Sequence, residues 1–238
     1  FIRRLRDIAA IEGVNVSLGP NDDARKQGQD IRGGLNNPQA VVEGARIRSR
    51  QDSPFALELR AKPLANPKEV AQPRPAALEK GHAFVRIDKG ELYELVFHNG
   101  ARHEVALSIT IDGIDTFTFS DDRDPKTDAP AFSHWLVSPG QTLVLPGWHK
   151  TNDPKRDDNF LSFLVTEYGQ GAGSKFPTKS QGQIGVITVQ ISKSHQPRSG
   201  QAKSGAETGF GPPVKGELKA VERLIDPPLD FITVRYLR

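Results

Sequence analysis

The 238-residue chain contains no cysteine and no methionine, and only 7% of its residues are aromatic. Without cysteine there are no disulfides, no thiolate metal ligands and no cysteine nucleophile, so stability has to come from packing and strand pairing. No run approaches the roughly 20 consecutive apolar residues that a membrane-spanning helix needs, and the chain is read as soluble, with no transmembrane segment. Beginning at Phe1 and lacking methionine, it is read as a processed or trimmed product, which is compatible with a removed signal peptide. The absence of cysteine weakly favours an extracellular or cell-surface location; a cytoplasmic one stays open.

What is abundant is punctuation. The chain has 22 Gly and 18 Pro beside a hydrophobic content of 36%, enough for a core but unsuited to a helical bundle. Charge is unevenly spread: residues 1–80 carry 14 basic and 10 acidic side chains, residues 81–191 carry 10 and 14, and residues 192–238 carry 8 and 5. Basic flanks around an acidic centre suit self-association, although imbalances of this size also arise by chance.

Residues 1–12 read as a short amphipathic helix, with Ile2, Leu5, Ile8 and Ala9 at helical spacing and Arg3, Arg4 and Arg6 on the polar side. Residues 20–38 show no apolar period and read as a loop or arm. Phe55, Leu57 and Leu59 alternate as in a strand, and residues 62–75, with four prolines, read as an extended linker. The organisation expected is therefore a helix and polar arm over 1–40, a strand and linker over 41–80, and a sandwich domain over 81–238.

Within that domain, strands are expected at 82–87, 91–98, 103–111, 116–119, 141–145, 160–166 and 184–191, with a closing strand at 230–236. Tyr93, Leu95 and Phe97 share one face, as do Val105, Leu107, Ile109 and Ile111, the period-2 pattern of half-buried strands. Asn99-Gly100 between them signals a hairpin. With no helical segments between strands, the fold class is all-β, an antiparallel β-sandwich of jelly-roll or immunoglobulin-like type, carrying an extended N-terminal arm and a short N-terminal helix.

The segments KGELYELVFHNGARHEVALSITIDGIDTF, LPGWHKT, FLVTEY and IGVITVQI, with TGFGPPV and ITVRY near the end, form a recurring set. In it the chain resembles an uncharacterised family of planctomycete-type bacterial proteins, over roughly residues 41–238. The resemblance implies a sandwich with DG, GW and C-terminal VRY motifs, and it implies no activity or catalytic residue.

The densest polar text holds Asp121, Asp122, Asp124 and Asp128, with Asp112 and Asp115 just before them; Asp157 and Asp158 lie on a later loop. Clustered loop carboxylates are how calcium is held. The interspersed Arg123, Lys126, Lys150, Lys155 and Arg156 favour ordinary solvated charges instead. Calcium is thus the one cofactor considered and none is assigned. Among the histidines, His98 and His103 flank a turn while His134 and His149 each adjoin a tryptophan, without a third ligand at useful spacing. No nucleophile motif or phosphate loop occurs, so no catalytic residue is named and the chain is read as a non-enzyme.

Arg46, Arg48 and Arg50 would line one strand face, but too few aromatics lie near them for nucleic-acid binding to be favoured. Trp148, with Tyr168, would serve a partner or a sugar if its ring faces solvent. The function expected is a structural or interaction protein that assembles with copies of itself or another surface component through its N-terminal arm, with Arg3, Arg4, Arg6, Arg46, Arg48, Arg50 and Trp148 as contact residues. The competing expectation is a calcium- or carbohydrate-binding sandwich module.

Overall fold

The computed structural model describes residues 15–19, 21–180, 183–197 and 218–236. They form two mainly antiparallel sheets packed face to face, the architecture of a β-sandwich. One sheet runs β10 (Ile114–Asp115), β9 (Val105–Ile111), β15 (Val186–His195), β16 (Leu224–Tyr236), β7 (His82–Val85) and β6 (Ala76–Glu79), with β1 (Val16–Ser17) on β16 and β11 (Trp135–Val137) on β9. The other runs β13 (Gly147–His149), β14 (Phe160–Leu164), β8 (Glu91–Asn99), β4 (Phe55–Pro63), β3 (Arg46–Arg48) and β2 (Val41–Glu43), with β12 (Thr142–Leu145) on β8 and β5 (Gln72–Pro73) on β4. The pairing of β7 with β16 is parallel.

Alternation explains the core. Phe55, Leu57 and Leu59 of β4 and Tyr93, Leu95 and Phe97 of β8 bury against Leu107 and Ile109 of β9, Val189 and Ile191 of β15, and Ile232 and Val234 of β16. Each such side chain contributes about 1.5–3 kcal/mol on leaving water. No helix of the described residues is long and apolar enough to cross a membrane.

Several expectations are corrected. Residues 20–38 are not a loop throughout: α1 (Ala24–Asn36) starts at the N-cap Asp23, whose side chain accepts from the Lys26 N–H at 2.8 Å. Lys26 then pairs with Asp22 and Asp30 one turn away on either side. The helix seats Ile31, fully buried, on Phe231 with Val16 and Leu18, covering the outer face of β16. Asn15 joins in, its amide donating to the Thr233 carbonyl and accepting from the Thr233 N–H. The described part of the N-terminal segment therefore docks on its own sandwich. The helix expected at 1–12, with Arg3, Arg4 and Arg6, lies outside the described residues.

Residues 41–80, expected as a strand and linker, supply β2 to β6, and β4 is the long central partner of β8. The compact part thus begins well before His82. The hairpin expected at Asn99-Gly100 does not form, because β8 and β9 belong to opposite sheets. The turn is a crossover instead. The buried Asn99 amide donates to the carbonyls of His103, Val137 and Ser138, while the Gly100 N–H donates to the Pro54 carbonyl. Residues 116–119, expected as a strand, form a turn after β10.

Candidate functional site

Chemistry-bearing side chains concentrate at the edge where β10 and β13 meet. The His149 N–H donates to the Thr116 carbonyl at 2.9 Å, and aromatic side chains fill the space behind that link. Phe117 stacks on Trp135 at 4.5 Å and tilts against His149 at 5.1 Å, Phe132 packs edge-on to His149, and Phe160 stacks on Trp135. The Trp135 indole donates to the Thr116 hydroxyl at 3.0 Å.

His149 is fully buried, with Nδ1 at 3.0 Å from the Ser120 hydroxyl and Nε2 at 2.9 Å from the Asn152 side-chain oxygen. With Nε2 donating to Asn152, Nδ1 is left to accept from Ser120. A serine, a histidine and an orienting amide are the parts of a nucleophilic centre. Here the serine and the histidine are buried and the amide is half-buried. Ser120 is buried, and its hydroxyl also lies within hydrogen-bond reach of the Asp122 N–H and carbonyl. The arrangement locks the loop to β13.

The acidic loops do meet, and cations lie between them. Arg156 bridges Asp121 at 2.8 Å and Asp158 at 2.7 Å, and Lys150 also pairs with Asp158. These bonds hold the Asp158 carboxyl well below the usual carboxylate range. Asp122 accepts from the Thr151 hydroxyl and the Asn152 N–H. Asp124 accepts from the N–H groups of Lys126 and Thr127, which lowers its pKa. Asp128 sits in left-handed backbone with φ of 55°, and Asp157 is exposed beside Asp158. Among the described residues no group of three His, Asp or Glu side chains is arranged to hold a metal ion.

The arginine stripe expected on β3 is not a free basic face. Arg48 donates to the Ser53 carbonyl, Arg50 lies beyond the strand end and pairs with Asp52 at 2.9 Å, and Arg46 is exposed. Trp148 is half-buried rather than solvent-facing. Its ring meets Phe119 at 5.2 Å and Phe163 at 5.3 Å, and Phe119 in turn meets Phe176 at 5.6 Å. Leu161 is its cross-strand partner. The outer members of this row are open to solvent, Leu161 by 42% and Phe176 by 38%. Tyr168 is exposed. His98 touches the Thr142 hydroxyl and faces Glu58 at 3.7 Å; burial lowers its pKa.

Two features have no counterpart in the reading of the sequence. One is a cleft of about 540 Å3 whose lining includes Asp115, Thr118, Arg123, Phe132, Ser133 and Thr178. It gathers four separated segments, so no local motif announces it. The other is Asp230 on β16, wholly buried, faced by the hydroxyls of Ser17, Ser49 and Ser53, with Ser53 donating at 2.9 Å. Burial pushes its carboxyl up to about 6.

No family model, no curated protein and no solved structure matches the chain. The site must be read from its own geometry.

Proposed function

We propose that the chain is a non-enzymatic interaction module that associates with further copies of itself through the row formed by Phe119, Trp148, Leu161 and Phe176. One observation carries this reading: a solvent-open leucine stands beside a half-buried tryptophan on a sheet edge, continuous with two further rings. Aromatic anchors of this kind, rigid and partly desolvated already, are what interface centres are made of.

The other route to assembly, an arm laid across a neighbour's sheet, has less to support it. The described part of the N-terminal segment is occupied in cis, where β1 pairs with β16 and Ile31 sits under Phe231. The non-catalytic part of the reading is supported by the burial of Ser120 and His149, with aromatic rings packed on the imidazole. The family resemblance, carrying no activity, adds nothing to it.

Light scattering on the native protein over a concentration series, with and without a calcium chelator, tests the proposal. A mass that is a multiple of the chain mass and indifferent to chelator is the expected result. A monomer at every concentration overturns it.

A further inference from the structure

The cleft beside the aromatic edge combines three kinds of group that seldom face the same space. Asp115, at the end of β10, accepts one hydrogen bond, from the Phe117 N–H at 2.8 Å, and burial pushes its carboxyl up to about 6. Above that pH it is ionised, and the Phe117 N–H is the one donor it meets among the described residues, so an incoming hydroxyl gains a strong acceptor there.

Arg123, also in the lining, donates to the carbonyls of Thr118 and Asp128 at 3.0 and 3.2 Å. Those bonds fix the guanidinium, and it makes no ion pair with a carboxylate among the described residues. Phe132 also lines the cleft. Its ring is held edge-on to the buried His149 and tilted on Phe117, so its orientation is set before any ligand arrives. Thr118, Ser133 and Thr178, with Gly113 and Pro130, complete the lining.

A free anion, a divalent cation and an aliphatic ligand each leave one of these groups mismatched. A free anion suits Arg123 and is repelled by Asp115. A divalent cation finds one carboxylate where it needs several oxygen ligands. An aliphatic ligand leaves the carboxylate desolvated and unpaired. A pyranose ring suits all three groups, having hydroxyls to donate to Asp115 and accept from Arg123 and an axial C–H face to lie on a phenyl ring. The cleft volume falls within the roughly 300–1,000 Å3 typical of small-molecule sites.

We propose that this cleft is a carbohydrate-binding site for a neutral pyranose, with Asp115 as the hydroxyl acceptor, Arg123 as the donor and Phe132 as the stacking platform. The site does not depend on self-association, and it shares the first acidic loop, since Arg123 lies between Asp122 and Asp124.

The test is an amide NMR titration of the 15N-labelled protein with methyl glucopyranoside, methyl galactopyranoside and methyl mannopyranoside in turn, with glycine and inorganic phosphate as comparison ligands. The expected result is saturable shifts in and around residues 113–118, 123 and 132–133 with one or more of the pyranosides, at a Kd of about 1 mM or somewhat tighter. Glycine and phosphate should leave those signals in place. Asp115→Asn retains an oxygen to accept the Phe117 N–H but replaces the other acceptor with a donor, and should weaken binding about tenfold. Arg123→Gln, at an exposed position, should weaken it comparably without changing the melting temperature. Three results overturn the proposal: no saturable shift with any pyranoside, shifts confined to other parts of the protein, or unchanged affinity in both variants.

Discussion

The two edges at which the sheets meet are closed by different means. On the β2 and β6 side the backbone does it. The Ala76 N–H donates to the Gly44 carbonyl and the Ala40 N–H to the Gly81 carbonyl, both at 2.9 Å. On the β10 and β13 side the link through His149 and Thr116 is backed by packed rings. A backbone seam uses main-chain groups that every residue carries, so it hides the sheet edge and offers a partner little. A plug of side chains leaves rings, hydroxyls and loop charges at the surface. The Leu161 row, the acidic loops and the Asp115 cleft all lie on that second side.

The contrast can be broken most severely at the plug itself. Trp135→Ala removes a buried indole together with its bond to Thr116, and we expect a loss of about 3–5 kcal/mol in denaturant unfolding. A loss below about 1 kcal/mol would mean the rings are not what closes that edge.

Asp230 sharpens the comparison by charge, because Asp121 and Asp158 beside the plug pair with Arg156 and Lys150 while Asp230 faces hydroxyls. An acid whose folded pKa lies above its unfolded value favours folding most when both states are protonated. As pH rises from about 4 to about 6 the unfolded state ionises first and stability falls, by at most about 3 kcal/mol for this shift. Asp230→Asn should therefore be more stable than the native protein at pH 7 and show a shallower decline over that range. Part of the slope will persist, because Asp115 is also raised to about 6. Equal pH profiles for the two proteins would show that Asp230 is ionised in the fold.

At the seam, Gly81 has φ of 81°, and a Cβ there would lie 1.7 Å from the Pro38 carbonyl oxygen. Gly81→Ala should cost about 1–3 kcal/mol and increase hydrogen exchange at Ala40. The smallest effect is expected at Arg156→Gln. It removes an exposed bridge between two loops, so the melting temperature should hardly move and any change should shrink in high salt.

How much of this was legible beforehand depends on how local each cause is. The sandwich shows in the alternation of residues 91–97 and 105–111, because burial of one strand face writes itself into every second residue. Helix α1 was hidden because Gly28, Gly33 and Gly34 dilute its propensity and only Ile31 and Leu35 mark its apolar side. Asn99-Gly100 carries the text of a tight hairpin, yet Asn99 spends its side chain on three carbonyls from two other segments. Asp230 sits beside Phe231 and Ile232 like an outward-facing polar residue and is instead buried, since three distant serines supply its surroundings. The acidic loops were visible as a cluster, whereas the bridging geometry of Arg156 was not.

Leu78 and Leu161 separate self-association through the Leu161 row from association elsewhere, since both are exposed leucines and they lie on opposite edges, on β6 and β14. Leu161→Glu and Leu78→Glu would each be measured by light scattering beside the native protein at matched concentration. Leu161→Glu should reduce the mass to that of a single chain while Leu78→Glu should leave the assembly intact. An assembly that survives Leu161→Glu, or one abolished equally by both substitutions, would contradict it.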